Sequence, residues 1–510
     1  MNLSTAIVNQ YSEKLINFHH QKKIARLCAI LNFEVAIVSI ASSILFPQSN
    51  FAAISCGILA ILCALTPVIY ALCVKRFDLV FSCLCIFNVA PIWFLYLETV
   101  LPGYDAFVYS AAVYKMKAVG FSCLFLLFVN LLYTFFQPKG ILASVGVFSF
   151  LNFIRPTPKF YVHLTFSTFI VPIVAFLIFY QSAEILWHGL TSGRSGGGGS
   201  GILIREPVGG SATYMLPFLW MWQLTPLFGI IAFIQHGKKK TFAAYLCLVL
   251  SLCVMFVFFL GGSRGTMFFV SAPALFFLFF YNWDKGFKFW VFAIALFFSF
   301  IAIMELQVRF RGNLLKVIAN PSAEAKSHGL SSVTSFDPTK THRDNNMYIF
   351  CLMVKAFPHK QDFVGFNDFF AILLNPIPRT IWPGKPLLMG AKDISAQPKF
   401  ILDGPLEMGT TSLTSSVVGE AYQANGVLGI FVYSIAYAAL LIFFEGISFY
   451  VNRKKPLSVG MMGIGIFLAF WGFRSFFALI SYIYPITLLI LSIKFISFIK
   501  KSRENYIYST

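Results

Sequence analysis

The chain reads as an all-α, polytopic integral membrane protein with about twelve transmembrane helices and one large loop on the outer, periplasmic face. Three observations predict this class. Of its 510 residues, 58% are hydrophobic and only 12% charged, about half the charged share of a soluble domain. Apolar runs of about 20 residues recur, the length that crosses a bilayer core. The basic residues gather at the ends of those runs, as the positive-inside bias requires of cytoplasmic flanks.

In chain order, residues 1–26 form a mixed, basic stretch. It has no short apolar core before a small-residue cleavage site, so it reads as a cytoplasmic amphipathic lead-in. A nine-span region follows over 27–306, with spans near 27–46, 51–74, 79–97, 118–136, 160–181, 214–235, 242–262, 266–281 and 289–306. The outer loop covers 307–426. Three more spans occupy 427–496, near 427–449, 458–474 and 476–496, and a cytoplasmic tail covers 497–510. The stretch Ile141–Phe153 is too short to span and reads as an interfacial or re-entrant helix. A Gly-rich outer connection lies at 182–213. Its run Ser195-Gly196-Gly197-Gly198-Gly199-Ser200-Gly201 has flexible-linker composition, consistent with a native loop or an inserted linker.

The formal charge is +19, but its distribution matters more than its size. Lys22, Lys23 and Arg26, Lys75 and Arg76, Lys238 to Lys240, Arg453 to Lys455, and Lys500, Lys501 and Arg503 all fall on the cytoplasmic side of the twelve-span topology. No aromatic-basic groove accompanies them, so no nucleic-acid partner is expected. Nine of the ten cysteines sit in apolar runs and Cys351 stands alone in the long loop. Neither a disulfide framework nor a metal-ligand spacing emerges.

A loop of about 120 residues is too long for a connector, and loops of that size usually carry function. Helix-like spacing appears in it at Met347–Phe357 and at Asp368–Leu374. Arginines recur at outer-face positions: Arg264, Arg309, Arg311, Arg343, Arg379 and Arg474. A guanidinium is always charged and forks onto phosphate; the plainer alternative for each is a turn residue or a headgroup contact. In Gly261-Gly262-Ser263-Arg264-Gly265 the glycines allow a tight turn between two spans. In Asn375-Pro376-Ile377-Pro378-Arg379-Thr380-Ile381-Trp382-Pro383-Gly384-Lys385-Pro386 four prolines stiffen a path bearing two cations. Gly419-Glu420-Ala421-Tyr422 leads through Asn425-Gly426 into the next span and sets one carboxylate just above the membrane. Glu420 could equally be an acid favoured by a helix dipole. His342, in Thr341-His342-Arg343-Asp344, could be a solvated loop histidine.

The segment NPIPRTIWPGKP, followed by TSLTSSVVGEAYQANGVLGI, resembles the bacterial oligosaccharide repeat-unit polymerases, the Wzy-type O-antigen and exopolysaccharide polymerases. The GGSRG turn also fits that group, and the spacing from Arg379 to Gly390 resembles the Arg-x10-Gly pattern of its loops. A second such pattern is missing, since Leu216 stands at the corresponding distance from Arg205. The resemblance covers roughly 340–430. It implies a glycosyltransferase in the inner membrane, with both termini cytoplasmic, that acts at the outer face on polyprenyl-diphosphate-linked oligosaccharides. The growing glycan moves from polyprenyl diphosphate to the non-reducing end of a new lipid-linked unit, and a chain-length regulator is a conceivable partner.

The departing diphosphate gains charge that fixed cations can stabilise without a metal or other cofactor. Arg264, Arg311, Arg343 and Lys385 are the candidate diphosphate ligands, with Arg379 in the catalytic set. Glu420 is the first candidate for the base that takes the acceptor proton, with His342 and Asp344 behind it. No Asp-x-Asp or Walker-type motif occurs, so neither a nucleotide-sugar donor nor ATP is expected. The alternatives are an O-antigen ligase, or a flippase or transporter of lipid-linked sugars.

Overall fold

A computed structural model describes residues 3–148, 157–180, 220–236, 241–260, 264–282, 346–367, 414–451, 455–476 and 482–492, with single positions between these segments. The described elements are helical, and eight helices are long and apolar enough to cross a membrane. This makes the chain a polytopic membrane protein by length and composition.

Helix α1 (Leu3–Leu45) runs unbroken from the lead-in through the first span. Helix α2 (Asn50–Cys73) begins where the Ser49 side chain accepts the Ala52 N–H at 3.2 Å, taking one of the donors that a helix start leaves unpaired. Helix α3 (Cys83–Val100) is capped in the same way by Ser82. Pro91 removes one rung from its ladder, and a π-turn follows at Ile92–Tyr96. A short helix α4 (Asp105–Tyr109) leads into the long α5 (Ala112–Phe148). The stretch from Ile141 to Phe148 is the end of α5, not a separate interfacial element: Ser144 and Val145 pack on a neighbouring span, so the helix has a reason to continue.

Two later groups complete the described bundle. Helix α6 (Pro158–Tyr180), a 3-10 turn at Trp220–Leu224 leading into α7 (Thr225–Gln235), α8 (Phe242–Leu260) and α9 (Arg264–Tyr281) form one group. In the other, α10 (Asn346–Ala356) lies in the long loop, α11 covers Ser416–Glu445 and α12 covers Pro456–Trp471. A last apolar helix, α13 (Tyr482–Ser492), follows. Within the expected spans 266–281 and 476–496 the described helical segments are α9 and Tyr482–Ser492. The described part of the expected span 214–235 is the Trp220 turn with α7. Of the expected span 289–306 eight positions are described, all helical, and most of 368–374 lies outside the described residues.

Side-chain contacts fix the helix directions. Gln137 of α5 donates to the Phe18 carbonyl at 3.0 Å, and Gly120 at the other end of α5 packs on Ile40, so α1 and α5 are antiparallel. Ser434 donates to Phe125 O at 3.3 Å and Tyr450 to Val145 O at 2.7 Å, so α11 runs parallel to α5. Buried polar pairs tie the helices where lipid could not solvate them. Asn130 donates to the Asn88 side-chain Oδ1 at 2.8 Å, and Ser122 donates to the Tyr96 hydroxyl at 3.0 Å. The region around Gln21, Arg76 and Lys455 gathers at one end of the bundle, the basic end. Asn50, Glu98, Lys115, α10, Glu420 and Arg474 gather at the opposite end.

At the basic end Arg76 and Asp78 form an ion pair at 3.0 Å, and Asn17 donates to Asp78 at 2.8 Å. Burial pushes the Asp78 carboxyl upward, but the Arg76 and Asn17 hydrogen bonds outweigh it and hold the group below the usual carboxylate range. All ten cysteines are free thiols, and Cys351 is buried in α10, where desolvation pushes its thiol up to about 12. It behaves there as a small hydrophobe.

Candidate functional site at the non-basic end

The site begins with a break in α11. Continuous helix over its 30 residues would be about 45 Å long, half again the hydrocarbon thickness. Asn425 (φ −166°, ψ 50°) and Gly426 (φ 54°, ψ −132°) leave helical geometry and divide it. The head, 416–424, folds back so sharply that the Ala421 carbonyl meets the α-carbon of Gly429. Glycine is needed at both positions, at Gly426 for its positive φ and at Gly429 for the close approach. The remaining shaft is about 28 Å long, a full crossing.

A break frees carbonyls that must find new donors. The N–H groups of Val364 and Gly365 supply them, bonding the carbonyls of Gln423 at 3.1 Å and Ala424 at 2.9 Å. The head therefore rests between this strap and α10. Tyr422 donates to Phe357 O at 3.3 Å, and the Met353 sulfur lies 3.4 Å from where a Cβ on Gly419 would stand. Ser416, the first residue of the head, has φ 66°, in the left-handed region that disfavours side-chain-bearing residues.

Glu420 projects from this head toward the end of α12. Its Oε2 accepts the Phe476 N–H at 2.8 Å, and its Oε1 accepts the Ser475 hydroxyl. These are hydrogen bonds to a charged group, each worth about 1.5–3 kcal/mol net when buried; Glu420 is half-buried, so the lower end applies. The carboxylate is thus held by the neighbouring chain reversal and not by the first turn of its own helix. The residue before Ser475 is Arg474, whose guanidinium carbon sits 5.2 Å from the centre of the Trp471 ring. Phe268 of α9 packs on the same ring at 4.8 Å. Arg264 opens α9 one turn before Phe268, so the start of that helix adjoins the end of α12. Phe369 stacks on Phe476 at 5.2 Å and meets Tyr433 at 4.9 Å, closing the apolar side of the cluster.

The structure therefore brings together Glu420, Arg474 and the α9 terminus that carries Arg264. Arg311, Arg343, Arg379, Lys385, His342 and Asp344 lie outside the described residues, as does the side chain of Arg264. Ser475 and Trp471 were not singled out by the sequence, because a serine and a tryptophan at the end of an apolar run carry no pattern of their own. Among the described residues no group of three or more His, Cys, Asp or Glu side chains could hold a metal ion. Comparison of the chain with protein-family profiles, with curated proteins and with solved structures finds no match.

Chemically, an anchored carboxylate whose anchor, Ser475, directly follows Arg474 in the chain offers two functions at this end of the bundle. It can accept a proton from a hydroxyl, and the cation can attract an anionic leaving group.

Proposed function

We propose that the chain is an integral-membrane glycosyltransferase of the repeat-unit polymerase type, working at the non-basic end as the outer face of a bacterial inner membrane. The observation that carries this reading is the Glu420 carboxylate, anchored by the Ser475 hydroxyl and the Phe476 N–H, the two residues that directly follow Arg474, whose guanidinium lies over the Trp471 ring. The acceptor hydroxyl of a new lipid-linked unit attacks the anomeric carbon of the growing glycan. Glu420 takes the hydroxyl proton, the bond to the polyprenyl diphosphate breaks, and the diphosphate leaves with the electron pair. Arg474 and Arg264 stabilise the departing charge, together with Arg311, Arg343, Arg379 and Lys385 of the long loop. His342 and Asp344 are the reserve candidates for the proton transfer. The motif resemblance over 340–430 supports the same reading.

The test is gel separation of the surface glycan from a host with and without the gene. Collapse of a long ladder to single-repeat material is the expected result. Loss of all capped material with lipid-linked polymer accumulating would assign a ligase instead. An unaltered ladder would remove the chain from that glycan's synthesis.

A further inference from the structure

We infer that Glu98 is a positioning residue for Glu420, acting through α10; the inference rests on the reading of Glu420 as the base of the transfer. Glu98 lies near the end of α3, just past the π-turn, and is only 1% exposed. Its two carboxylate oxygens accept the N–H groups of Asn346 at 3.0 Å and Met347 at 2.9 Å. Those are the first amides of α10, which have no partner within their own helix. A carboxylate there also complements the helix dipole. Nearly 250 residues separate the partners in sequence, so this contact anchors the long loop to the bundle. At the same end of the bundle the buried Lys115 donates to Asn50 Oδ1 and to Phe107 O, both at 3.1 Å, and so ties α5 to α2 and α4.

From that anchor α10 runs alongside the head of α11 and touches it at three levels. Thr414, at the entry to the head, donates to the Asn346 side chain. Met353 packs against Gly419 in the middle. Phe357, just past the end of α10, accepts from Tyr422. Glu420 sits between the second and third contacts. Any tilt of α10 at its first turn therefore moves the backbone that carries Glu420, while Ser475 and Arg474 stay with α12. A base displaced by a fraction of an ångström loses transfer rate with little loss of substrate binding.

The experiment uses the full-length chain in lipid nanodiscs as wild type, Glu98→Gln, Glu98→Asp and Glu420→Gln. Amide exchange is read over 346–357 and 416–424, and transfer kinetics are read with a polyprenyl-diphosphate-linked repeat unit. In Glu98→Gln the expected result is faster exchange in both segments and a fall in kcat of about tenfold with KM within about twofold. Partial recovery of both readouts is expected in Glu98→Asp. Glu420→Gln should slow transfer with exchange over 346–357 unchanged. Faster exchange in 346–357 alone, with 416–424 and kcat as in wild type, would overturn the inference. So would equal loosening of every span, which marks a general stability effect. If the wild type transfers no glycan, the polymerase reading falls. The exchange pattern at 416–424 in Glu98→Gln then decides the coupling by itself.

Discussion

Replacing Glu420 by Gln separates the charge of that side chain from its shape. The amide oxygen of Gln can still accept the Phe476 N–H, and its NH2 can donate to Ser475, whose hydroxyl rotates to accept. The head of α11 should therefore keep its position, and thermal stability should fall by no more than about 1 kcal/mol, the difference between a charged and a neutral hydrogen bond at a half-buried site. What disappears is the ability to take a proton. General-base catalysis contributes about 10²–10⁴ in rate, or about 3–5 kcal/mol of activation free energy, and kcat should fall by that factor with KM little changed. Ser475→Ala makes the opposite cut. It leaves the charge and removes one anchor, so a smaller loss of about tenfold is expected, from looser positioning. Single-turnover transfer between lipid-linked repeat units in proteoliposomes measures both. A Glu420→Gln variant that transfers at the wild-type rate, beside a slowed Ser475→Ala, would refute the base and leave Glu420 as a prop for the end of α12.

Arg379→Ala should abolish polymer while membrane insertion, read by protease accessibility of the termini, stays intact; polymer of normal length in that variant would remove the assigned role. Gly426→Ala should destabilise the protein by about 1–3 kcal/mol, because its φ of 54° combined with ψ of −132° strains any residue bearing a side chain and a Cβ would stand 3.0 Å from the Phe363 ring; a melting temperature equal to wild type in nanodiscs contradicts this. The Asp78 carboxyl is held below its usual range in the folded protein, so its contribution is complete above the unfolded-state value and is lost as pH falls through the lower folded value. Amide exchange over the α2–α3 connection, 76–82, should accordingly rise on acidification into that range, and Asp78→Asn should abolish the pH dependence while costing little stability at neutral pH, as expected for an exposed ion pair.

The membrane class was legible because it depends on composition and run length, which are properties of the sequence alone. The first five span positions match described helices to within a few residues at most ends, and Met347–Phe357 matches α10. The joins between helices were harder to read. Ile141–Phe148 has too few apolar residues to span, yet it is helix because Ser144 and Val145 meet α11 and its extension; a tertiary contact sets where α5 ends. Asn425-Gly426 was readable as an approach to a span, since Asn-Gly favours turns. That it folds the preceding nine residues back onto the span depends on the donors of Val364 and Gly365, 60 residues earlier. Glu420 was found from the sequence because acids are scarce there. Glu98 was not, since it closes an apolar run and resembles an ordinary interfacial residue until its partners in α10 are known.

The placement of buried charge also bears on whether this bundle moves a substrate or reacts one. A transporter needs ionisable groups along its path that change partners as it cycles. Among the described residues the buried acids are occupied by fixed structure at the two ends of α3. At the basic end Glu445 accepts from Gln21 at 3.0 Å and from the Leu84 N–H at 3.3 Å, and Tyr133 in turn donates to Gln21 at 3.2 Å. At the other end Glu98 receives the first amides of α10. Glu98 is held by two first-turn amides of α10 and Glu445 by a first-turn amide of α3 with the Gln21 side chain, so each carboxylate ties one helix to another and both act as clamps. Helix α3 thus serves as a rigid post joining the basic end to the platform under Glu420. A fixed post and a half-buried acid held by the two residues that follow an aromatic-backed arginine suit chemistry at one end of the bundle, as the proposed transfer requires.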